Sequence, residues 1–192
     1  MAGRIIATQY MSLDGVIEDP VGMEGSGLGD WTGPLERGPE GDRFKQEELN
    51  ASAALLLGRK THVAFAAVWP NVTDETGFAA RINAMPKYVV SATLDEPGWT
   101  GAAILAGDAV AEVRALKART QGDILVYGSA ELLHALIPAG LVDGYNLMVY
   151  PVVLGRGKRL FPDGHGTRLR LDGSQPLGSG IMLLRYTAAG QV

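Results

Sequence analysis

Leu55-Leu56-Leu57-Gly58-Arg59-Lys60-Thr61 passes from a wholly apolar triplet through one glycine into a helix-competent polar segment. Ile124-Leu125-Val126-Tyr127-Gly128-Ser129-Ala130-Glu131 repeats the pattern. A short apolar run closed by glycine reads as a strand buried on both faces, and the segment after it as the helix of a βα unit. At such a joint the glycine permits close backbone approach, while the helix start presents unpaired N–H groups and its positive dipole end. That combination receives phosphate, and two joints in one chain suit a diphosphate. Arg59 adds a charge-assisted fork and Thr61 a hydroxyl donor, so a dinucleotide is the expected ligand. Strand–glycine–helix turns also occur in α/β proteins for packing alone, and that reading stays open beside the first.

Outward from these joints the chain alternates strand and helix. Arg4 to Met11 is β-prone and ends in the turn Ser12-Leu13-Asp14-Gly15, where Asp14 reads as a turn former. Residues 19–41 are rich in glycine and proline and predict a long loop, with Met23, Leu28 and Trp31 as apolar material for a lid. Asp42 to Ser52 predicts a helix with Asp42 as its cap or first-turn acid, and Glu47 and Glu48 on its solvated face. Helices are expected over Thr61–Val68, Glu75–Asn83, Ala109–Arg119 and Glu131–Ile137, and strands over residues 55–57, 85–91, 104–105 and 124–127. After Pro138-Ala139-Gly140 the character changes. Tyr145–Leu154, Arg168–Asp172 and Ile181–Thr187 are strand-like without helices between them, so the sheet is mixed, mostly parallel, with antiparallel C-terminal strands and flanking helices. No composition break divides the chain, and residues 1–192 read as one α/β domain.

Composition narrows the functional classes. The chain has 192 residues, no cysteine and a net charge of −4. Lack of cysteine excludes disulfides, thiolate zinc sites and thiol catalysis. The acidic balance argues against a nucleic-acid partner, and no apolar run approaches the ~20 residues of a membrane span. Neither a leader nor an anchor is legible, which predicts a cytoplasmic protein. His62, His134 and His165 lack partners at ligand spacing, so no metal site is expected. Arg156, Lys158 and Arg159 form a basic group that reads as a solvated turn or as a grip on a substrate phosphate.

Several segments together resemble the dihydrofolate reductase-like family, which includes the reductase domain of bifunctional riboflavin-biosynthesis enzymes. They are Ser12-Leu13-Asp14-Gly15, Leu57-Gly58-Arg59-Lys60-Thr61, Pro86-Lys87-Tyr88-Val89-Val90-Ser91, Val126-Tyr127-Gly128-Ser129, and Pro151-Val152-Val153-Leu154-Gly155 with Leu160-Phe161-Pro162. The resemblance implies a single dihydrofolate reductase-like domain binding NADPH along the carboxyl edge of its sheet. It implies that Gly58, Arg59, Lys60 and Thr61 hold the diphosphate and 2′-phosphate, that Ser91 approaches the adenosine end, and that Gly128, Ser129, Ala130 and Glu131 cradle the diphosphate. Ser129 stands where folate reductases carry a second glycine, and its hydroxyl is a possible donor.

Reduction of a C=N bond leaves a nitrogen that needs a proton, so an acid belongs near the substrate. Asp42 is the candidate by its resemblance to the buried acid of folate reductases; the competing role is a helix cap. These readings favour an NADPH-dependent reductase of a small pteridine-like or ribosylaminopyrimidine-like substrate, acting as a homodimer. The alternative is a non-catalytic nucleotide-binding homodimer that keeps the cleft.

Overall fold

Leu55, Leu56 and Leu57 are each fully buried because β2 (Ser52–Gly58) lies inside the sheet and is covered on both faces. Leu56 points into one core with Ile124 and Val126 of β5 (Asp123–Val126), while Leu55 and Leu57 join Leu125 on the other side. An uninterrupted apolar run is the signature of that two-sided burial. The computed structural model describes residues 2–191. Its eight strands are completed by β1 (Arg4–Ser12), β3 (Lys87–Val90), β4 (Ala102–Leu105), β6 (Gly144–Tyr150), β7 (Thr167–Pro176) and β8 (Met182–Gln191). They run in the order β4-β3-β2-β5-β1-β6-β8-β7, parallel from β4 through β6 and antiparallel in β6-β8-β7.

The helices are α1 (Gly38–Ala51), α2 (Arg59–Val68), α3 (Phe78–Ala84), α4 (Ala109–Arg119) and α5 (Ala130–Leu136). Val113 and Leu116 of α4 and Leu132, Leu133 and Leu136 of α5 pack over the Leu56 face. Leu49 of α1 and Ile82 of α3 close the opposite one, with Met85 and Trp99. Among the described residues no helix is long and apolar enough to cross a membrane.

Two boundaries depart from the sequence expectation in a way that bears on the site. Helix α1 starts at Gly38, four residues before Asp42, with Arg37 as its N-cap and Pro39 in its first turn. Proline is tolerated there because a first-turn N–H has no helical acceptor to lose. Asp42 is therefore not the cap. The expected strand Tyr145–Leu154 stops at Tyr150, since Pro151 has no N–H for the ladder. Asp14 does build its turn: its carboxylate accepts from Ser12 Oγ (2.7 Å) and from the N–H groups of Leu154 (3.1 Å) and Gly155 (2.8 Å). Those bonds pull its pKa down to about 2.

Candidate functional site

Register along the sheet brings the joints together. Leu56 pairs with Val126 and Gly58 with Val90, so β2, β3 and β5 finish at one edge. A β-carbon added to Gly128 would lie 2.8 Å from Thr61 Oγ1, and one on Gly58 would meet the side chain of Ser129. The starts of α2 and α5 are thus packed into each other, with Gly128 in the left-handed region at φ +58°. Each glycine has a packing reason, and the consequence of that packing is that both helix starts face one space.

Neither start carries a side-chain cap, whereas α4 is capped by Asp108, which accepts from Ala111 N–H at 2.8 Å. The first-turn amides of α2 and α5 have no side-chain acceptor among the described residues. Arg59 and Lys60 stand exposed beside them, and Thr61 is buried.

The cleft in front of these joints is a cavity of about 1290 Å³. Its wall includes Gly58, Arg59, Lys60, Thr61, Ser91, Gly128, Ser129, Ala130 and Glu131, the candidates for cofactor binding, and Asp42, the candidate acid. That volume exceeds the roughly 300–1,000 Å³ of ordinary small-molecule pockets and leaves room for a dinucleotide beside a second molecule. The donor set fits a phosphorylated ligand: two cations, two hydroxyls and two uncapped helix starts. Ser91 is also used locally, its Oγ accepting from Thr93 N–H (3.2 Å) and Leu94 N–H (3.0 Å). Glu131 is ion-paired with Lys158 Nζ, and the hydrogen bond and charge of that lysine lower its pKa.

In the wall of the same cleft Asp42 Oδ1 accepts from Arg37 Nε at 2.6 Å, and its side chain is 66% exposed. It is not a buried acid. Gly41 makes this possible, because a β-carbon there would strike Arg37 at 2.8 Å; without one the arginine folds back along α1 to Asp42 and to Tyr10 Oη.

The buried acid is Glu48, which the sequence places on a solvated face. Lys45 and Glu48 share one face of α1 at spacing i, i+3, and their side chains are 5% and 4% exposed. Lys45 Nζ donates to Glu48 Oε2 (2.5 Å) and to Thr8 Oγ1 (2.8 Å), and lies 4.4 Å from the centre of the Tyr127 ring. Burial is the largest single influence and opposes the lysine's charge, but Glu48, Tyr127 and Tyr10 together outweigh it and raise its pKa. Asn146 Nδ2 donates to the other carboxylate oxygen at 2.7 Å. Glu47, by contrast, is exposed and near Arg43.

The lid is tied to the body of the protein. Trp31 is buried edge-on against Tyr150, and its Nε1 donates to Glu18 O at 3.1 Å. Each member of the basic turn has a protein partner: Arg156 donates to Gly27 O (3.1 Å), Arg159 to Asp14 O (3.0 Å), and Lys158 pairs with Glu131. The turn fastens lid, Asp14 and α5 together.

Residues 4–183 match the RibD C-terminal domain family. Uncharacterized protein YyaP of Bacillus subtilis (strain 168) is 32% identical over 188 residues, covering 95% of this chain and 94% of its own. Among solved structures, a candidate riboflavin biosynthesis protein of Shewanella sp. PV-4 is similar at a TM-score of 0.71 and 18% identity, over 98% of this chain and 99% of that one. Dihydrofolate reductase from Enterococcus faecalis, complexed with NADP(H) and RAB-propyl, is similar at a TM-score of 0.61 and 17% identity, over 98% of each chain. The likeness to these structures is one of fold, and the fold is dihydrofolate reductase-like. With the family model matched over residues 4–183, nearly the whole chain, the chain belongs to the RibD C-terminal domain family.

Proposed function

We propose that the protein is an NADPH-dependent reductase of a small heterocyclic or imine-like substrate, of pteridine or ribosylaminopyrimidine type. The observation that carries this reading is the meeting of two uncapped helix starts, with Arg59 and Lys60 beside them, in the wall of one large cleft. Bound there, NADPH supplies hydride. The residues of the chain do the rest. Arg59 and Lys60 neutralise the phosphates, with the guanidinium selecting the 2′-phosphate. Thr61 and Ser129 donate hydroxyl hydrogen bonds, and Ser91 borders the adenosine end.

Proton supply is assigned to Asp42. Asp42 Oδ2 makes no hydrogen bond among the described residues and is the acceptor left for a water that relays a proton to the substrate nitrogen. Lys45, held by its buried pair with Glu48, lines the cleft with its charge already matched. The deciding experiment measures NADPH consumption with a panel of dihydropteridines and ribosylaminopyrimidine phosphates. Steady turnover with one class supports a reductase. NADPH binding without turnover across the panel favours a nucleotide-binding protein that has kept the cleft.

A further inference from the structure

Glu24 is carried by the lid and reaches the first turn of α2, where its Oε1 accepts from Thr61 Oγ1 at 2.6 Å. The loop that carries it is built around Asp19, which is 3% exposed and has a positive φ of 48°. One Asp19 oxygen accepts from Glu24 N–H (2.8 Å), and the other from Ser26 N–H (3.0 Å) and Ser26 Oγ (2.8 Å). This hub fixes the backbone on either side of Glu24 and aims its side chain into the cleft, which both Glu24 and Thr61 line.

The electrostatics of this placement are unfavourable except at one point. Burial raises the Glu24 pKa, Asp19 and Glu18 push it the same way, and only Thr61 and Lys60 favour the charged form. A half-buried carboxylate with like charges behind it thus lies on the Thr61 hydroxyl that a phosphate would use, and within the field of Lys60. Its chemistry matches: a carboxylate and a phosphate oxygen want the same donors.

We propose that Glu24 is a built-in rival of the cofactor phosphate, so that NADPH displaces its carboxylate from the Thr61 hydroxyl and frees the lid from α2 in the same exchange. The inference rests on the reading that this joint receives a dinucleotide. It makes the lid responsive to phosphate without any contact between lid and nicotinamide. Affinity is lowered by the fraction of molecules in which Glu24 holds the donors, and removal of the rival restores it.

The test pairs two readouts on the full-length chain, using NADPH as the probe. Dissociation constants come from tryptophan quenching of the unaltered protein, Glu24→Ala and Glu24→Gln. Hydrogen exchange of the amides of residues 20–28, recorded with and without NADPH, reports the lid. Glu24→Ala is expected to bind NADPH about tenfold more tightly, the exchange worth of one charge-assisted bond, and to exchange its lid amides faster with no NADPH added. Glu24→Gln, which keeps an acceptor for Thr61 but not the charge, should fall between the two. NADPH should speed lid exchange in the unaltered protein and leave that of Glu24→Ala unchanged. Binding by the unaltered protein with no gain in either variant overturns the rivalry and leaves the dinucleotide reading standing. Failure of all three proteins to bind at millimolar NADPH overturns both.

Discussion

Ser129 occupies the space that a β-carbon on Gly58 would need, with its own Cβ 3.1 Å from that position. Gly58 has an ordinary extended conformation, φ −76°, so its requirement for glycine is steric and comes from this one neighbour. Gly58→Ala should destabilise the protein by about 1–3 kcal/mol through overpacking. The double variant Gly58→Ala/Ser129→Gly should recover most of that loss, a coupling readable in denaturant melts of the single and double variants. Additive losses would mean the joints are not in contact as described.

A second pair is held by charge. Lys45 and Glu48 are both buried and satisfied by each other, Thr8 and Asn146. Lys45→Met strands a carboxylate in the interior and should cost about 3–5 kcal/mol. Lys45→Met/Glu48→Leu removes both charges and should be the more stable of the two variants, by chemical denaturation at neutral pH.

Acid should loosen the turn that Asp14 closes. Its pKa is lowered from 3.8 to about 2 by bonds present only in the folded chain. A depressed folded value means the contribution is complete above the unfolded value, near 4, and is lost as pH falls toward 2. Asp14→Asn should melt at a lower temperature than the unaltered protein at pH 6, and the gap should close between pH 4 and pH 2.

Asp42 is separable from the fold. Its side chain is exposed and its ion pair with Arg37 is partly solvated, so the pair is worth about 0–1 kcal/mol. Asp42→Asn should leave the melting temperature nearly unchanged and NADPH binding intact, while turnover drops by about 10²–10⁴. Normal turnover would move the proton source elsewhere.

What was legible in the sequence follows from which physical signals are local. The two joints were readable because an apolar triplet next to glycine admits few other structures, and helix α4 because Val110, Val113 and Leu116 repeat at helical spacing. The start of α1 was hidden by glycines and a proline that a first turn accepts. Burial of Glu48 left no mark at all: Lys and Glu three apart on a helix look the same on a solvated face, and only Thr8 and Asn146, from distant strands, distinguish the two. Strands β7 and β8 were seen only as fragments, because the edge hairpin is largely exposed and its pattern is broken by bulges near Leu169 and Gly173. Glu24 was invisible for the same reason as Glu48, its partner lying 37 positions away.

The central claim is that Arg59 at this joint reads a 2′-phosphate. Its most direct test is a parallel tryptophan-quenching titration of the unaltered protein and Arg59→Ala with NADPH and NADH, using Trp69 in the cleft wall as reporter. A charge-assisted bond of about 1.5–3 kcal/mol predicts that NADPH binds one to two orders of magnitude more tightly than NADH, and that the variant loses most of this preference while still binding both. Equal affinity of the unaltered protein for the two cofactors, or a preference that survives in Arg59→Ala, would contradict it.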